Sequence, residues 1–320
     1  MPERILITGG AGCIGSELAE VLVGRGQDVI VVDNLSSGRI EHLEALRDRP
    51  GFTFVQGDLL DQTLLDRVMP GIDTVFHLAA NSEVKDTQGG STGRDLEQNV
   101  IATHHLLEAM RRHGVRRLAS ASSSTVYGLA EKQPVAETQA PRPISLYGGS
   151  KAAAEALIMA FQHLFGMRCW IFRLANVVGG RVRRTGQTVI GDFVRKLREN
   201  PRRLEILGNG EQAKSYLLTT DCIAAMLFVM ERAPGPLSIY NLGAGDALAV
   251  KRIADMVVEA LGLSNVEYAY SGGDGGWPGD VPKIALDVRA LGRLGWTAPH
   301  TSEEAVAIAI QATVGATCRR

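Results

Sequence analysis

Residues 4–15 read Arg4-Ile5-Leu6-Ile7-Thr8-Gly9-Gly10-Ala11-Gly12-Cys13-Ile14-Gly15. Ile5 to Ile7 is a short apolar run of β-branched and aliphatic residues, and the helical pattern Ser16 to Gly26 follows it. The spacing Gly9-x-x-Gly12-x-x-Gly15 between them removes side chains where a backbone must turn sharply and approach a pyrophosphate. The helix behind the turn offers unpaired N–H groups and a partial positive charge to an anion. Val29 to Val32 is a second strand, closed by Asp33, 18 residues after Gly15. An acid there accepts hydrogen bonds from adenosine ribose hydroxyls and repels a 2′-phosphate, which favours NAD over NADP.

The alternation continues outward from this unit. Phe52 to Val55, Thr74 to Leu78 and Arg117 to Ala121 read as further strands, with helices near Leu64 to Val68 and over Arg94 to His113. Continuous apolar strands separated by helices predict a parallel sheet buried on both faces, hence an α/β Rossmann-type doubly wound fold. After Arg173 the pattern loosens. Arg181 to Gln187 is polar and Arg-rich, Gly208-Asn209-Gly210 breaks the chain, and Ser271 to Gly279 is rich in glycine. A smaller, irregular α/β substrate lobe is expected there. The expected division is 1–175 plus 218–243 for the dinucleotide and 176–217 plus 244–320 for the substrate.

The 320 residues carry 34 Lys+Arg against 35 Asp+Glu, a net charge of −1, with 45 % hydrophobic residues. That composition excludes a disordered chain and a protein working through a strongly basic surface, so no nucleic-acid partner is expected. Four scattered cysteines (Cys13, Cys169, Cys222, Cys318) form no CxxC pair, which argues against a disulfide framework or a zinc site. No signal-peptide pattern and no run of ~18 apolar residues is seen, so a cytoplasmic, soluble protein is expected. Ser150 to Phe165 is apolar all round, as a helix covered on more than one side would be. A second subunit is one candidate cover, and a homodimer is expected.

The chemistry is concentrated in two motifs. Tyr147-Gly148-Gly149-Ser150-Lys151 puts a phenol and an ammonium one helical turn apart on one face. Ser122-Ser123-Ser124-Thr125-Val126-Tyr127-Gly128 follows a strand, and strand C-termini are where a doubly wound sheet holds its ligand. A free tyrosine titrates near pH 10, too high for a base at neutral pH; a nearby ammonium and an oxidised nicotinamide favour the phenolate. A serine hydroxyl can bond the substrate alcohol and relay its proton. The product is an alcohol poised to lose a hydride, an oxidoreductase half-reaction.

With these residues the chain resembles the extended short-chain dehydrogenase/reductases, and within them the UDP-glucose (UDP-galactose) 4-epimerases of the NAD-dependent epimerase/dehydratase family. The resemblance rests on Thr8 to Gly15, Val32 to Gly38, Gly57-Asp58-Leu59, His77 to Ala80, Asn99, Ser122 to Gly128, Tyr147 to Lys151 and Arg173 to Val177. Downstream it extends over Gly208 to Gln212, Asp221, Asn241 to Gly243 and Trp277 to Val281. It implies that Tyr147 is the base, that Lys151 holds the nicotinamide ribose and tunes Tyr147, and that Ser123 is the catalytic serine. For NAD it implies Gly9, Gly12, Cys13, Ile14, Gly15, Asp33, Asn34, Ser36, Ser37, Gly38, Asp58 and Leu59, then Leu78, Ala79, Ala80, Asn99, Ala121, Ser122 and Leu174. For a UDP-sugar it implies Val84, Ser123, Ser124, Thr125, Asn176, Lys214, Tyr216, Trp277 and Asp280, with Glu205 and Ile206 near the uracil.

Four positions depart from the family pattern. Trp277 stands where a diphosphate-binding Arg is usual, and Lys214 where another Arg is usual, so Arg181, Arg183 or Arg184 is expected to supply the charge. Gly180 replaces a common Pro and Glu17 a common His. Ile284 falls on a wall of the sugar pocket, of a size that leaves glucose and N-acetyl forms both open. The expected activity is C4 epimerisation of a UDP-hexose through a transient 4-keto sugar. A UDP-uronate 4-epimerase is the next alternative, with Arg183 for the carboxylate. A 4,6-dehydratase needs an Asp-Glu pair after the serine, where this chain has Ser124 and Thr125. A ketoreductase and a non-catalytic NAD sensor complete the alternatives. His77 reads as a hydrogen-bonded structural residue, His104 and His105 lack partners with metal-ligand spacing, and Lys85 reads as surface or diphosphate-facing.

Overall fold

The computed structural model describes residues 2–81, 92–179 and 188–317. The expectations attached to Val84, Lys85, Gly180, Arg181, Arg183, Arg184 and Cys318 lie outside the described residues. The chain starts with β1 (Arg4–Thr8), α1 (Cys13–Gly24), β2 (Asp28–Asp33), β3 (Phe52–Gln56), α2 (Gln62–Val68) and β4 (Thr74–His77). A single turn α3 (Gly93–Asp95) runs through a π-helical stretch, Leu96–Ile101, into α4 (Ala102–Arg112). Then come β5 (Arg117–Ser123), α5 (Leu146–Phe165) and β6 (Arg168–Leu174).

These strands and a later one, Leu237–Leu242, form a seven-stranded parallel sheet. Across the sheet the sequence order is Leu237–Leu242, β6, β5, β4, β1, β2, β3. The order reverses between β1 and β4, and a ligand crevice opens at the C-terminal ends of strands at such a switch point. Burial on both faces explains the unbroken apolar strands: Ile5 and Ile7 pack into one layer and Leu6 into the other.

The remaining chain is β7 (Asn176–Val178), α6 (Val189–Glu199), β8 (Arg203–Ile206), β9 (Ala213–Lys214), β10 (Tyr216–Leu218) and α7 (Thr219–Arg232). The seventh sheet strand is β11 (Leu237–Leu242), followed by β12 (Leu248–Ala249), α8 (Val250–Ala260), β13 (Glu267–Tyr270), β14 (Lys283–Ile284), α9 (Arg289–Arg293) and α10 (Ser302–Thr317). Three small sheets pair β10 with β7, β9 with β12 and β14, and β13 with β8. They share a separate core with α6, α8 and α10, built on Phe193, Leu204, Tyr216, Ile253 and Val306.

Several boundaries differ from the sequence reading for local reasons. α5 begins at Leu146 rather than Ser150, because Ser145 caps it by accepting the Gly148 N–H at 3.0 Å. It ends at Gly166, which takes the left-handed conformation at φ 62°. β5 runs on to Ser123 because its serines stay in register with β6, Ser122 opposite Arg173 and Ser123 opposite Leu174. No helix among the described residues is long and apolar enough to cross a membrane.

Candidate active site

The crevice is a cavity of about 1040 Å³ running from the β1–α1 turn across the ends of β4 and β5 to the small sheets. Its first wall is backbone. Gly9 sits at φ +71°, and a Cβ on it would lie 2.6 Å from the Ala79 nitrogen. A Cβ on Gly15 would lie 2.5 Å from the Gly9 carbonyl oxygen. The turn therefore closes only without side chains. Gly12 caps α1 with no side-chain hydrogen bond, and Cys13, Ile14 and Gly15 of its first turn line the cavity. Helix α1 is thus arranged as an anion site.

Asp33 ends β2 with one carboxylate oxygen accepting the Ala11 N–H at 2.9 Å and the other the Leu35 N–H at 2.8 Å. Burial raises its pKa above the ordinary aspartate value, against the pull of those two backbone donors. Gly38 closes in behind the carboxylate, where a Cβ would come within 2.9 Å of both oxygens, and it does not face the cavity. Asn34, Ser36 and Ser37 do. Asp58 accepts from the Leu60 N–H at 2.9 Å and from the Asn34 Nδ2 at 2.7 Å, while Asp61, not Asp58, caps α2. These donors, with Gln98, hold the Asp58 carboxyl below its ordinary range against the opposing effect of partial burial. These residues fit a dinucleotide: a side-chain-free turn on a helix N-terminus, and two acids beyond it with lone pairs left for hydroxyl or amino donors.

Leu59, Leu78, Ala79, Ala80, Ala121, Ser122 and Leu174 continue the wall. Asn99 does not reach it: buried in the π-helical stretch, it accepts the Asn81 N–H at 2.7 Å and donates to Ser150 Oγ at 2.9 Å. It braces the start of α5 from behind. Ser123, Ser124, Thr125, Tyr147 and Lys151 come together on the cavity wall although 24 residues separate Ser123 from Tyr147. Ser123 Oγ accepts from Thr125 Oγ1 at 2.9 Å and from the Thr125 N–H at 3.2 Å, which leaves its own proton to be donated outward. Lys151 is buried, and burial pushes its ammonium down to about 8. His77 is buried beneath it between Thr8 Oγ1 (2.8 Å) and Thr103 Oγ1 (2.9 Å). Thr103 donates to the Asn99 carbonyl at 2.6 Å, so it accepts from His77 Nε2–H, and His77 is the neutral Nε2 tautomer. Burial pushes it down to about 3, in keeping with a structural role.

The far wall is made of side chains. Lys214 Nζ and Asp280 Oδ1 are 2.5 Å apart, and the ammonium lies 5.0 Å from the Trp277 ring centroid. Asn176, Tyr216 and Ile284 line the same end. Glu205 and Ile206 do not: β8 turns Glu205 outward and Ile206 into the lobe core, and the next residue, Leu207, faces the cavity instead. Phe193 and Val250 also line it and carried no signal in the sequence, where each read as an ordinary helix or loop residue; Gln212, the last residue of the Gly208 to Gln212 stretch, lines it too. Cys13, Cys169 and Cys222 are buried, and among the described residues no cluster of His, Cys, Asp and Glu could hold a metal ion.

The chain is similar to known proteins over most of its length. The model of the NAD dependent epimerase/dehydratase family matches residues 5–243. A UDP-glucose 4-epimerase of Mycolicibacterium smegmatis is 31 % identical over 96 % of this chain and 97 % of its own. A crystal structure of a UDP-galactose 4-epimerase is 40 % identical and superposes with a TM-score of 0.87, covering 98 % of this chain and 99 % of that one. MoeE5, solved with NAD and UDP-glucuronic acid, is 32 % identical with a TM-score of 0.84 over 98 % of this chain and 99 % of its own.

Proposed function

The chain belongs to the NAD dependent epimerase/dehydratase family, and from that premise we propose that it epimerises a UDP-hexose of the glucose/galactose type at C4. The observation that carries this reading is the pairing of Ser123, Tyr147 and Lys151 on one cavity wall with Ser124 and Thr125 beside them. The first three suit oxidation of an alcohol. The other two cannot act as the acid and base that elimination of water requires.

NAD, when bound, supplies reversible hydride exchange. Tyr147 then takes the proton of the C4 hydroxyl, Lys151 stabilises the phenolate, and Ser123 Oγ hydrogen-bonds the same oxygen. The 4-keto sugar turns over in the cavity and takes the hydride back on the opposite face of C4, and Tyr147 gives its proton back to the C4 oxygen. Lys214, with Tyr216 and Asn176, holds the diphosphate, and Asp280 releases Lys214 as the phosphates arrive. Trp277 takes no charge of its own and instead anchors the Lys214 ammonium over its ring. In this scheme 1–175 with 218–243 binds the dinucleotide, and 176–217 with 244–320 binds the sugar nucleotide.

A UDP-uronate is the second reading, supported by the UDP-glucuronic acid in MoeE5. Incubating purified protein without added NAD, separately with UDP-galactose, UDP-N-acetylgalactosamine and UDP-glucuronate, tests both. Conversion of the first to UDP-glucose is expected. Conversion of UDP-glucuronate alone establishes the second reading, and no conversion of any, even with NAD supplied, removes both. We also propose a homodimer, because Leu96, Ile101, Leu164 and Phe165 remain exposed on the α3–α4 segment and α5, which pack together. Light scattering at twice the monomer mass is the expected result.

A further inference from the structure

Helix α5 turns one more charged residue inward. Glu155 stands one turn beyond Lys151 and is 2 % exposed. Arg173, 3 % exposed on β6, grips both its oxygens, Nε to Oε1 at 3.0 Å and Nη2 to Oε2 at 2.8 Å. Ser122, the neighbour of Ser123, donates its hydroxyl to the same Oε1 at 2.5 Å. Arg173 Nη1 goes on to the Tyr127 hydroxyl and the Glu137 carbonyl, both at 3.0 Å, and Tyr127 donates to Asn241 Oδ1 at 2.7 Å. The network joins the helix of Tyr147 and Lys151 to the strand end of Ser123.

A buried Arg–Glu pair is a poor source of stability, since apolar residues of equal volume often do as well or better. Every member here is nevertheless satisfied, and the carboxylate lies on the Lys151 face of the helix at i+4. We propose that Glu155 is a positioning residue: clamped by Arg173 and Ser122, it sets α5 against the end of β5 and keeps the Lys151 side chain an ammonium beside Tyr147. The inference rests on the reading of Tyr147 and Lys151 given above.

The electrostatics agree. Burial lowers Lys151, and Glu155 acts against that burial. The other titratable groups around the ammonium are Tyr147, one turn earlier on α5, and His77 on β4, which is neutral. Arg173 is spent on Glu155 and Tyr127.

The test is the pH dependence of kcat for nucleotide-sugar turnover in the NAD-loaded protein. In Glu155→Gln the alkaline limb is expected to move to lower pH by about one unit, about a fivefold loss at pH 8 that approaches tenfold above pH 9, with KM within threefold. Glu155→Asp keeps the charge and should restore most of the limb. Should Glu155→Gln fail to fold, Glu155→Gln with Arg173→Met leaves no unpaired buried charge and is expected to show the same shift. An unmoved limb in the folded single or double variant overturns the proposal, as does a loss confined to KM. If Tyr147→Phe retains turnover, the base assignment itself fails, whatever Glu155 does.

Discussion

The β1–α1 turn and the Lys214 corner face the same cavity from opposite ends, but they are built from different material. The turn is backbone: glycines whose Cβ positions are already occupied by neighbouring main chain, and a helix N-terminus behind them. The corner is side chain: an ammonium, a carboxylate and an indole brought from β9 and from the loop before β14, 66 residues apart for the ion pair. A backbone site tolerates no change at its glycines and holds whatever carries the right phosphate spacing. A side-chain site can be retuned one residue at a time, as Lys214 and Trp277 illustrate, both standing where the family resemblance implies arginine.

The sharpest test of that contrast is Tyr147→Phe. Turnover should fall by about 10³-fold while NAD stays bound, measured by kcat and by nicotinamide released on denaturation. Loss of both together would mean that the walls are not separable. Lys151→Met is expected to abolish turnover and to stabilise the fold. The lysine titrates near 10.5 unfolded and about 8 folded, so its burial costs stability fully below pH 8 and not at all above 10.5. The variant should gain up to about 3 kcal/mol in chemical denaturation at pH 7, and the gain should vanish as pH rises to 10.5. No gain at pH 7 would mean that the catalytic wall carries no such cost.

The backbone wall is broken by Gly15→Ala, whose methyl would meet main chain at 2.5 and 2.7 Å. NAD affinity should drop by about 100-fold through ~2–3 kcal/mol of overpacking. Gly149→Ala, with nothing within 4 Å, should change affinity and turnover by less than about twofold. The corner should respond less than the glycine turn: Lys214→Ala should raise KM about tenfold with kcat nearly unchanged. A fall in kcat instead would move Lys214 from ground-state binding into the transition state.

The same contrast explains how much could be read beforehand. The dinucleotide wall was legible because each part is local: strand, glycine spacing, helix and Asp33 lie within 30 residues and obey rules of backbone geometry. The Tyr147–Lys151 spacing was legible for the same reason. Phe193, Val250 and Leu207 were not, because a residue that faces a cavity and one that faces a core look alike until the chain is folded. Glu205 and Ile206 show the converse error, since the register of a four-residue strand decides which side chain faces in and moves the wall to Leu207. Glu155 escaped notice because a carboxylate on a helix ordinarily reads as solvated. Only the packing of β6 against α5 brings Arg173 to it.

The path of the chain has a consequence of its own. After β6 it leaves the large sheet to form β7, α6, β8, β9 and β10, returns through α7 to lay down β11, then leaves again for β12 and everything beyond. A graft of another relative's lobe would therefore need three simultaneous junctions, close to residues 175, 218 and 243, with the paired strands β7 and β10 at the two ends of the first segment. Wholesale exchange of such a lobe is an improbable genetic event. Single substitutions on the cavity wall need no junction at all. Diversification of this scaffold is thus channelled into point changes, and a recombination library cut at one crossover should yield mostly unfolded chains.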